Sequence, residues 1–353
     1  MSPSLRFPEF TGEWEYFSIN DVCSEFKSGK NIKADLISSN GNFPVYGGNG
    51  LRGYTSSYNH DGLYVLIGRQ GALCGNVRSV FGKIYITEHA IAVAGNEKSD
   101  TNFLHYLFLK MNLGQYSDQS AQPGLAVNKL LKLKVLLPSI SEQIKIAKLL
   151  SLLDERIAVQ SRLIEDLKKL RCAVSNKLFQ SVKGVVIPLS GISNIVKGKQ
   201  INGDFLAEVG EYYVMNGGTE PSGYYDNYNV EANTISISEG GNSCGYVQFN
   251  RMPFWSGGHC YTIQDIVSDV ETLYLYHYLK SKEDSIMKLR IGTGLPNIQK
   301  KDLAEFKVII LAIEQQRTIS NILSLLERKT EIEGRMLIAM RTEKQYLLHQ
   351  MFI

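Results

Sequence analysis

Apolar residues recur at steps of three, four or seven from Ile140 to Leu178: Ile140, Ile144, Ala147, Leu150, Leu153, Ile157, Ile164, Leu167, Val174 and Leu178. Lys145, Lys148, Glu155, Arg156, Lys168 and Lys169 fall on the opposite face. This spacing predicts one amphipathic helix of about 40 residues. A single stripe of that length does not fit inside a domain core and calls for a partner helix. Ser139 after Pro138, with Glu142 three residues on, predicts a capping box at its start. A looser stripe of Ile319, Ile322, Leu326, Leu337, Met340, Leu347 and Met351 supplies the partner. Gly334 interrupts it, at about 1 kcal/mol relative to Ala. Each helix would span roughly 60 Å. A whole globular segment links them, so antiparallel pairing is geometrically easy.

Ahead of each long helix the pattern changes to short apolar runs broken by Gly and Asn. "LYVLIG", "GNVRSVFG" and "KIYITEHAIAV" predict strands in the first half, as do "NTISIS", "GYVQFN" and "HCYTIQDI" in the second. "TNFLHYLFLKMN" and "ETLYLYHYLKS" predict one shorter helix in each half. The halves are also copies. Gly29-Lys30 meets Gly198-Lys199 at a shift of 169 residues. Gly47-Gly48, Gly53-Tyr54, Cys74-Gly75, His89 and Gly124-Leu125 meet Gly217-Gly218, Gly223-Tyr224, Cys244-Gly245, His259 and Gly294-Leu295 at 170. Lys134-Val135 meets Lys307-Val308, and "LSLLDER" meets "LSLLERK", at 173. A period this long means duplication of a globular unit plus helix, not a solenoid. The boundaries expected are 1–138, helix 139–181, 182–310 and helix 311–353.

The chain has 353 residues, a net charge of +3, 44% apolar and 21% charged residues, which is ordinary for a folded two-domain protein. No apolar run approaches the ~20 residues of a membrane span. "MSPSLRFPEF" has no apolar run of the secretory kind, and five scattered cysteines lack a C-x-x-C pair, so a reducing cytoplasmic location is expected. The low net charge means that any phosphate neutralisation is local or shared with a partner.

Motifs for catalysis are missing. Pro-Pro never occurs, so the Asn/Asp-Pro-Pro-Tyr/Phe of DNA amino-methyltransferases is excluded. "SGKN" and "KGKQ" lack the upstream glycine of an ATP loop, and "YGGNG" leads into no helix. His89 and His259 stand among apolar residues and are read as core histidines. Cys74 and Cys244 are read as buried strand positions, and "NEKSD" and "SKEDS" as solvated loops. No catalytic residue, metal or cofactor is expected.

Three features together resemble the specificity subunit of type I restriction-modification systems. They are the opening "GEWEYFSINDVCSEFKSGKNI", the "PGL…N…L…VLLP" stretch from Pro123 to Pro138, and the "EQ…IA…L…LD…I" helix start from Glu142 to Ile157. The second copy departs from the pattern: Leu311 replaces Pro138, and "EQQRTIS" replaces "EQIKIAK". The resemblance implies an α+β architecture, with two homologous mixed α/β target-recognition domains separated by two long helices paired as an antiparallel coiled coil with pseudo-two-fold symmetry. It implies that each domain reads half of a bipartite site in double-stranded DNA, and that the helices set the gap. It further implies that catalysis lies on other subunits: two modification subunits, and restriction subunits in the full complex. Docking to the modification subunits would fall on the helix starts, at Glu142, Gln143, Lys145, Lys148, Glu314, Gln315 and Arg317.

Comparing the copies suggests where bases are read. "GRQGALCG" (68–75) and "SEGGNSCG" (238–245) keep a Gly-Cys frame but exchange the polar residues. Arg69 and Gln70 suit guanine and adenine, and Glu239 suits the cytosine amino group; Asn242 and Ser243 belong to the same loop. Lys30 and Lys199 suit phosphates. Asn49, Arg52, Asn216 and Thr219 flank the Gly-Gly turns, and Gln119, Gln122, Arg290 and Thr293 lie on a further matched loop. A coiled-coil adaptor with protein- or glycan-binding ends is the alternative reading.

Overall fold

The computed structural model describes residues 3–71, 73–118, 124–292 and 296–353. They form two compact units, Met1–Ser161 with Met336–Ile353, and Arg162–Arg335.

The first unit contains β1 (Glu15–Ser18), α1 (Ile19–Val22), β2 (Cys23–Ser28), β3 (Phe43–Gly47), β4 (Gly50–Thr55), β5 (His60–Gly68), β6 (Val77–Ile86), β7 (Ala90–Gly95), α2 (Thr101–Met111), α3 (Val127–Leu131) and β8 (Lys134–Leu137). It also contains the start of α4 (Ile140–Ser181). Six strands form one mixed sheet in the order β2-β7-β5-β6-β3-β4, and β1 pairs with β8. The pairings are antiparallel except β3 with β6. Side chains alternate across a strand, so two faces appear. Val65, Ile67, Ile91 and Val93 face Phe103, Leu104, Leu107 and Phe108 of α2, while Leu66, Ala90 and Ala92 join Val80 and Ile84 in a smaller cluster. The predicted strand "KIYITEHAIAV" is interrupted. Thr87–His89 form a turn between β6 and β7.

The second unit contains β9 (Val185–Pro188), β10 (Asn194–Lys197), β11 (Tyr212–Met215), β12 (Tyr224–Tyr225), β13 (Thr234–Ser238), β14 (Val247–Asn250), β15 (Trp255–Ser256), β16 (Cys260–Gln264), α5 (Thr272–Ser281), α6 (Glu283–Met287), α7 (Lys300–Ala304) and β17 (Lys307–Ile310). The start of α8 (Ile313–Gln350) completes it. β10-β16-β13-β14 form one sheet, β12-β11-β15 another, and β17 pairs with β9. α5 covers Ile235, Ile237, Tyr261 and Ile263, as α2 does in the first unit. "SKEDS" is not a plain loop: Glu283 begins α6 and accepts from Val247 N–H (2.8 Å) and Lys280 (2.5 Å).

Each unit holds the beginning of one long helix and the end of the other, running in opposite directions. In the first, Lys344 reaches Asp154 (2.5 Å), and Ile157 lines a groove with Arg341. In the second, Arg171 reaches Glu327 (3.3 Å), and Ser181 lines a groove with Thr318. The partners match by the repeat: Lys344 stands 173 residues after Arg171, and Glu327 stands 173 after Asp154. Tyr106 donates to Asp154 (2.9 Å) as Tyr276 donates to Glu327 (2.9 Å). Phe352 stacks on Phe103 at 5.0 Å between centroids, and Phe179, 173 positions earlier, sits edge-on to Tyr274 at 5.9 Å. The buried stripes differ from the predicted ones. Ile140, Ile144 and Ile322 are exposed, with Ile146 and Leu323 facing inward in their place, while Ala147, Leu150 and Ile319 are buried as expected. Among the described residues no helix is long and apolar enough to cross a membrane.

Candidate nucleic-acid interface

In the first unit five segments meet at one end of the sheet. β2 ends at Ser28 and runs into Gly29-Lys30. The β3–β4 turn adds 47–50, β5 opens into 69–71 and 73–76, the β6–β7 turn adds 87–89, and 124–125 returns across the loop. Backbone hydrogen bonds hold them. Arg69 N–H donates to His89 O (2.9 Å), and Arg69 O accepts Leu125 N–H (2.9 Å). Cys74 Sγ donates to the same carbonyl (3.2 Å). Gly68 N–H reaches Asn76 O (2.8 Å), and Gly75 N–H reaches Gly68 O (2.7 Å). Gly48 must be glycine, because a Cβ there would lie 2.7 Å from His89 O.

The second unit repeats this cage bond for bond. Glu239 N–H donates to His259 O (2.9 Å), and Glu239 O accepts Ile298 N–H (2.8 Å). Cys244 Sγ donates to Glu239 O (3.0 Å). Ser238 N–H reaches Tyr246 O (2.9 Å), and Gly245 N–H reaches Ser238 O (2.8 Å). Ser238 Oγ ties in the neighbouring turn through Gly217 O (2.6 Å). Burial pushes both thiols up from their ordinary range, which keeps them protonated donors. The two cysteines therefore sit in turns and pin a loop; they are not strand residues.

The side chains on the cage differ between units. In the first, Lys30, Asn49, Arg52 and Gln70 are exposed, and half-buried Arg69 donates to Ser28 Oγ (3.0 Å). Gln70 is hydrogen-bonded to His89 (2.9 Å). In the second, Lys199, Thr219, Asn242 and Arg290 are exposed, and Ser243 is half-buried. Gln119, Gln122 and Thr293 lie outside the described residues. Lys30 and Lys199 occupy matched places, with their N–H groups on Ile86 O and Ser256 O.

Several expectations change. Glu239 is 7% exposed and accepts from Lys197 Nζ (2.6 Å) and Tyr261 Oη (3.0 Å), so its carboxylate faces inward. Burial, then this hydrogen bond, raises the Tyr261 phenol well above its ordinary range. Asn216 is a staple, its Oδ1 accepting His259 N–H (3.1 Å). His89 and His259 are exposed at the turn tips rather than buried in a core. Two cations escaped sequence reading. Arg78 lies in β6 with its guanidinium against Gly50, and Lys197 ends β10. The available signal was their register: Arg78 opposes Leu66 near the end of β5, and Lys197 opposes Tyr261 at the start of β16.

The helix starts divide between buried and exposed residues. Glu142 is 1% exposed and takes Arg6 Nε and Nη2 at 2.7 Å each. Gln143 is wholly buried; it accepts Asp100 N–H (2.9 Å) and donates to Lys98 O and Pro138 O (2.9 Å each). Neither is free to bind a partner. In the second copy this clamp belongs to Gln316, not Gln315: Gln316 accepts Glu271 N–H (2.9 Å) and donates to Asp269 O and Leu311 O (2.8 Å each). Lys148, Glu314, Gln315 and Arg317 are exposed, Glu314 pairing with Arg317 at 2.9 Å. Lys145 is paired with Glu9.

A family profile described as the type I restriction modification DNA specificity domain matches residues 11–169 and again 182–339. The chain belongs to the type I DNA specificity family. The specificity subunit of the Escherichia coli EcoprrI type I restriction enzyme is 45% identical over 154 residues, 42% of this chain and 38% of that protein. The alignment thus spans little more than a third of that relative. A Mycoplasma genitalium protein named as a type I specificity subunit is 24% identical over 384 residues, covering 100% of this chain and 97% of its own. The crystal structure of a type I restriction-modification S subunit from M. genitalium superposes with a TM-score of 0.80 at 23% identity, covering 100% of this chain and 99% of that one. The two share a fold. Each specificity-family match in the present chain contains one copy of the loop cage.

Proposed function

We propose that this chain is the non-catalytic DNA-recognition subunit of a type I restriction-modification complex. Each unit reads one half of a bipartite site in double-stranded DNA, and the length of the two long helices sets the gap between the halves. The observation that carries this reading is the doubled cage: one backbone hydrogen-bond frame, repeated in both units, with exchanged polar side chains at its mouth. A frame that stays while its side chains change suits two readers of different base sequences. Arg69, Gln70, Arg52 and Arg78 give the first unit donors for base edges and phosphates; Lys197, Lys199 and Arg290 do so in the second.

Docking of partner subunits has its own support. Leu152 and Val159 on α4 are 53% and 69% exposed, and their matches on α8, Leu325 and Ile332, are 67% and 36% exposed. Apolar residues left in solvent at equivalent places on both helices suit two like partners, here two modification subunits, joined by restriction subunits in the full complex. Exposed Lys148, Gln315 and Arg317 would flank those contacts. Mapping DNA methylation in cells that express this chain with its modification subunit tests the proposal. The expected motif has two short specified halves at a fixed distance. A single uninterrupted motif would count against it.

A further inference from the structure

We propose that Lys197 reads a base in the second half-site and that the buried carboxylate of Glu239 is the positioning residue that holds its ammonium there. The inference rests on the DNA-reading role proposed above and reverses the sequence expectation for Glu239.

Lys197 is the counterpart of Ser28. Both are the last residue of the outermost sheet strand, 169 positions apart, and they pair in register with Tyr261 and Ile91, themselves 170 apart. In each unit this residue is hydrogen-bonded to the first residue of the caged loop: Arg69 to Ser28 (3.0 Å), Lys197 to Glu239 (2.6 Å). The crossing pair is kept while its cation changes sides. In the first unit the positive group comes from the loop, and in the second it comes from the strand.

Depth then assigns the roles. The Glu239 side chain is 10% exposed and that of Lys197 is 53% exposed, so the carboxylate lies beneath and the ammonium above. Glu239 Oε1 accepts both Lys197 and Tyr261, and Tyr261 Oη also reaches Ile298 O (3.2 Å). Glu239 Oε2 is buried with no hydrogen-bond partner among the described residues, and His259 Nδ1 lies 3.9 Å from it. A carboxylate pinned at that depth cannot present an oxygen to a cytosine amino group. It can fix a three-donor ammonium, leaving the remaining donors to point outward. Guanine offers two acceptors in the major groove, N7 and O6, that suit them.

The test uses the chain assembled with its modification subunit, on a library of randomised duplexes read by selection and by methylation mapping. Lys197→Met should lower the preference for guanine at one position of one half-site by about tenfold, the usual weight of such a contact. The other half-site should not move, and the unfolding midpoint should fall but leave the unit folded at the assay temperature, because Glu239 loses its charged partner. Glu239→Gln should relax the same position, whereas Lys197→Arg should retain guanine. Should Glu239→Gln fail to fold, Lys197→Met still decides. The proposal is overturned if Lys197→Met leaves every base preference intact, alters the other half-site, or weakens all duplexes equally as a phosphate contact would. Loss of the underlying DNA-reading role would look different: the unaltered chain would select no bipartite motif at all.

Discussion

Gln143 and Gln316 are the sharpest test of the repeat's true register. Gln143→Met keeps the side chain's volume but removes three hydrogen bonds, to Asp100 N–H, Lys98 O and Pro138 O. At about 1 kcal/mol each the loss is about 3 kcal/mol, and more if the Pro138 carbonyl finds no water. For a unit of this size that lowers the melting temperature by roughly 10 °C. Gln316→Met removes the matching three bonds, to Glu271, Asp269 and Leu311, and should cost the same. Gln315→Met, at an exposed position, should stay within about 0.5 kcal/mol. Scanning calorimetry of the three variants gives the comparison. An unchanged midpoint for Gln143→Met, or equal losses for Gln315→Met and Gln316→Met, would refute the reasoning.

Other outcomes follow from the same contacts. Burial, then Lys344, lowers His105 to about 4, and burial, then Arg171, lowers His277 to about 4, from 6.5. A folded pKa below the unfolded one means stability is complete above about pH 6.5 and drains away as pH falls toward 4, by up to about 3 kcal/mol per histidine. Urea unfolding at pH 7 and 4.5 should show this, and His277→Leu, matching Leu107 in the other copy, should flatten the curve. Leu325→Glu should leave the melting temperature unchanged yet weaken capture of the modification subunit in titration calorimetry; unchanged capture would remove α8 from the docking surface. Four residues inserted after Ser161 and four after Gly334 add about 6 Å to each helix. Methylation mapping should then show a gap longer by about two base pairs, at ~3.4 Å each.

Much of the fold was legible because periodicity is local. The 3.6-residue stripes mark α2, α4, α5 and α8, and the repeat follows from ordered glycines whose backbones must approach others closely, such as Gly48 beside His89. What escaped depends on distant partners. "EQ" at Glu142-Gln143 matches Glu314-Gln315 in sequence, yet the buried clamp counts from Pro138 and Leu311, which makes Gln316 the equivalent residue. Glu239 reads as a polar loop residue until β10 and β16 bring Lys197 and Tyr261 onto it. His89 and His259 have apolar neighbours in sequence, but a tight turn points them outward while those neighbours enter the sheet. The helix stripes were shifted at their starts because Ile140, Ile144 and Ile322 fit the period without facing the core.

The central claim is that the two units are interchangeable frames carrying different readers. Replacing residues 182–310 with a second copy of 1–138, and mapping the methylated sites made with the modification subunit, tests it most directly. The account predicts a motif whose two halves are both the original first half-site. Persistence of the original second half would contradict it.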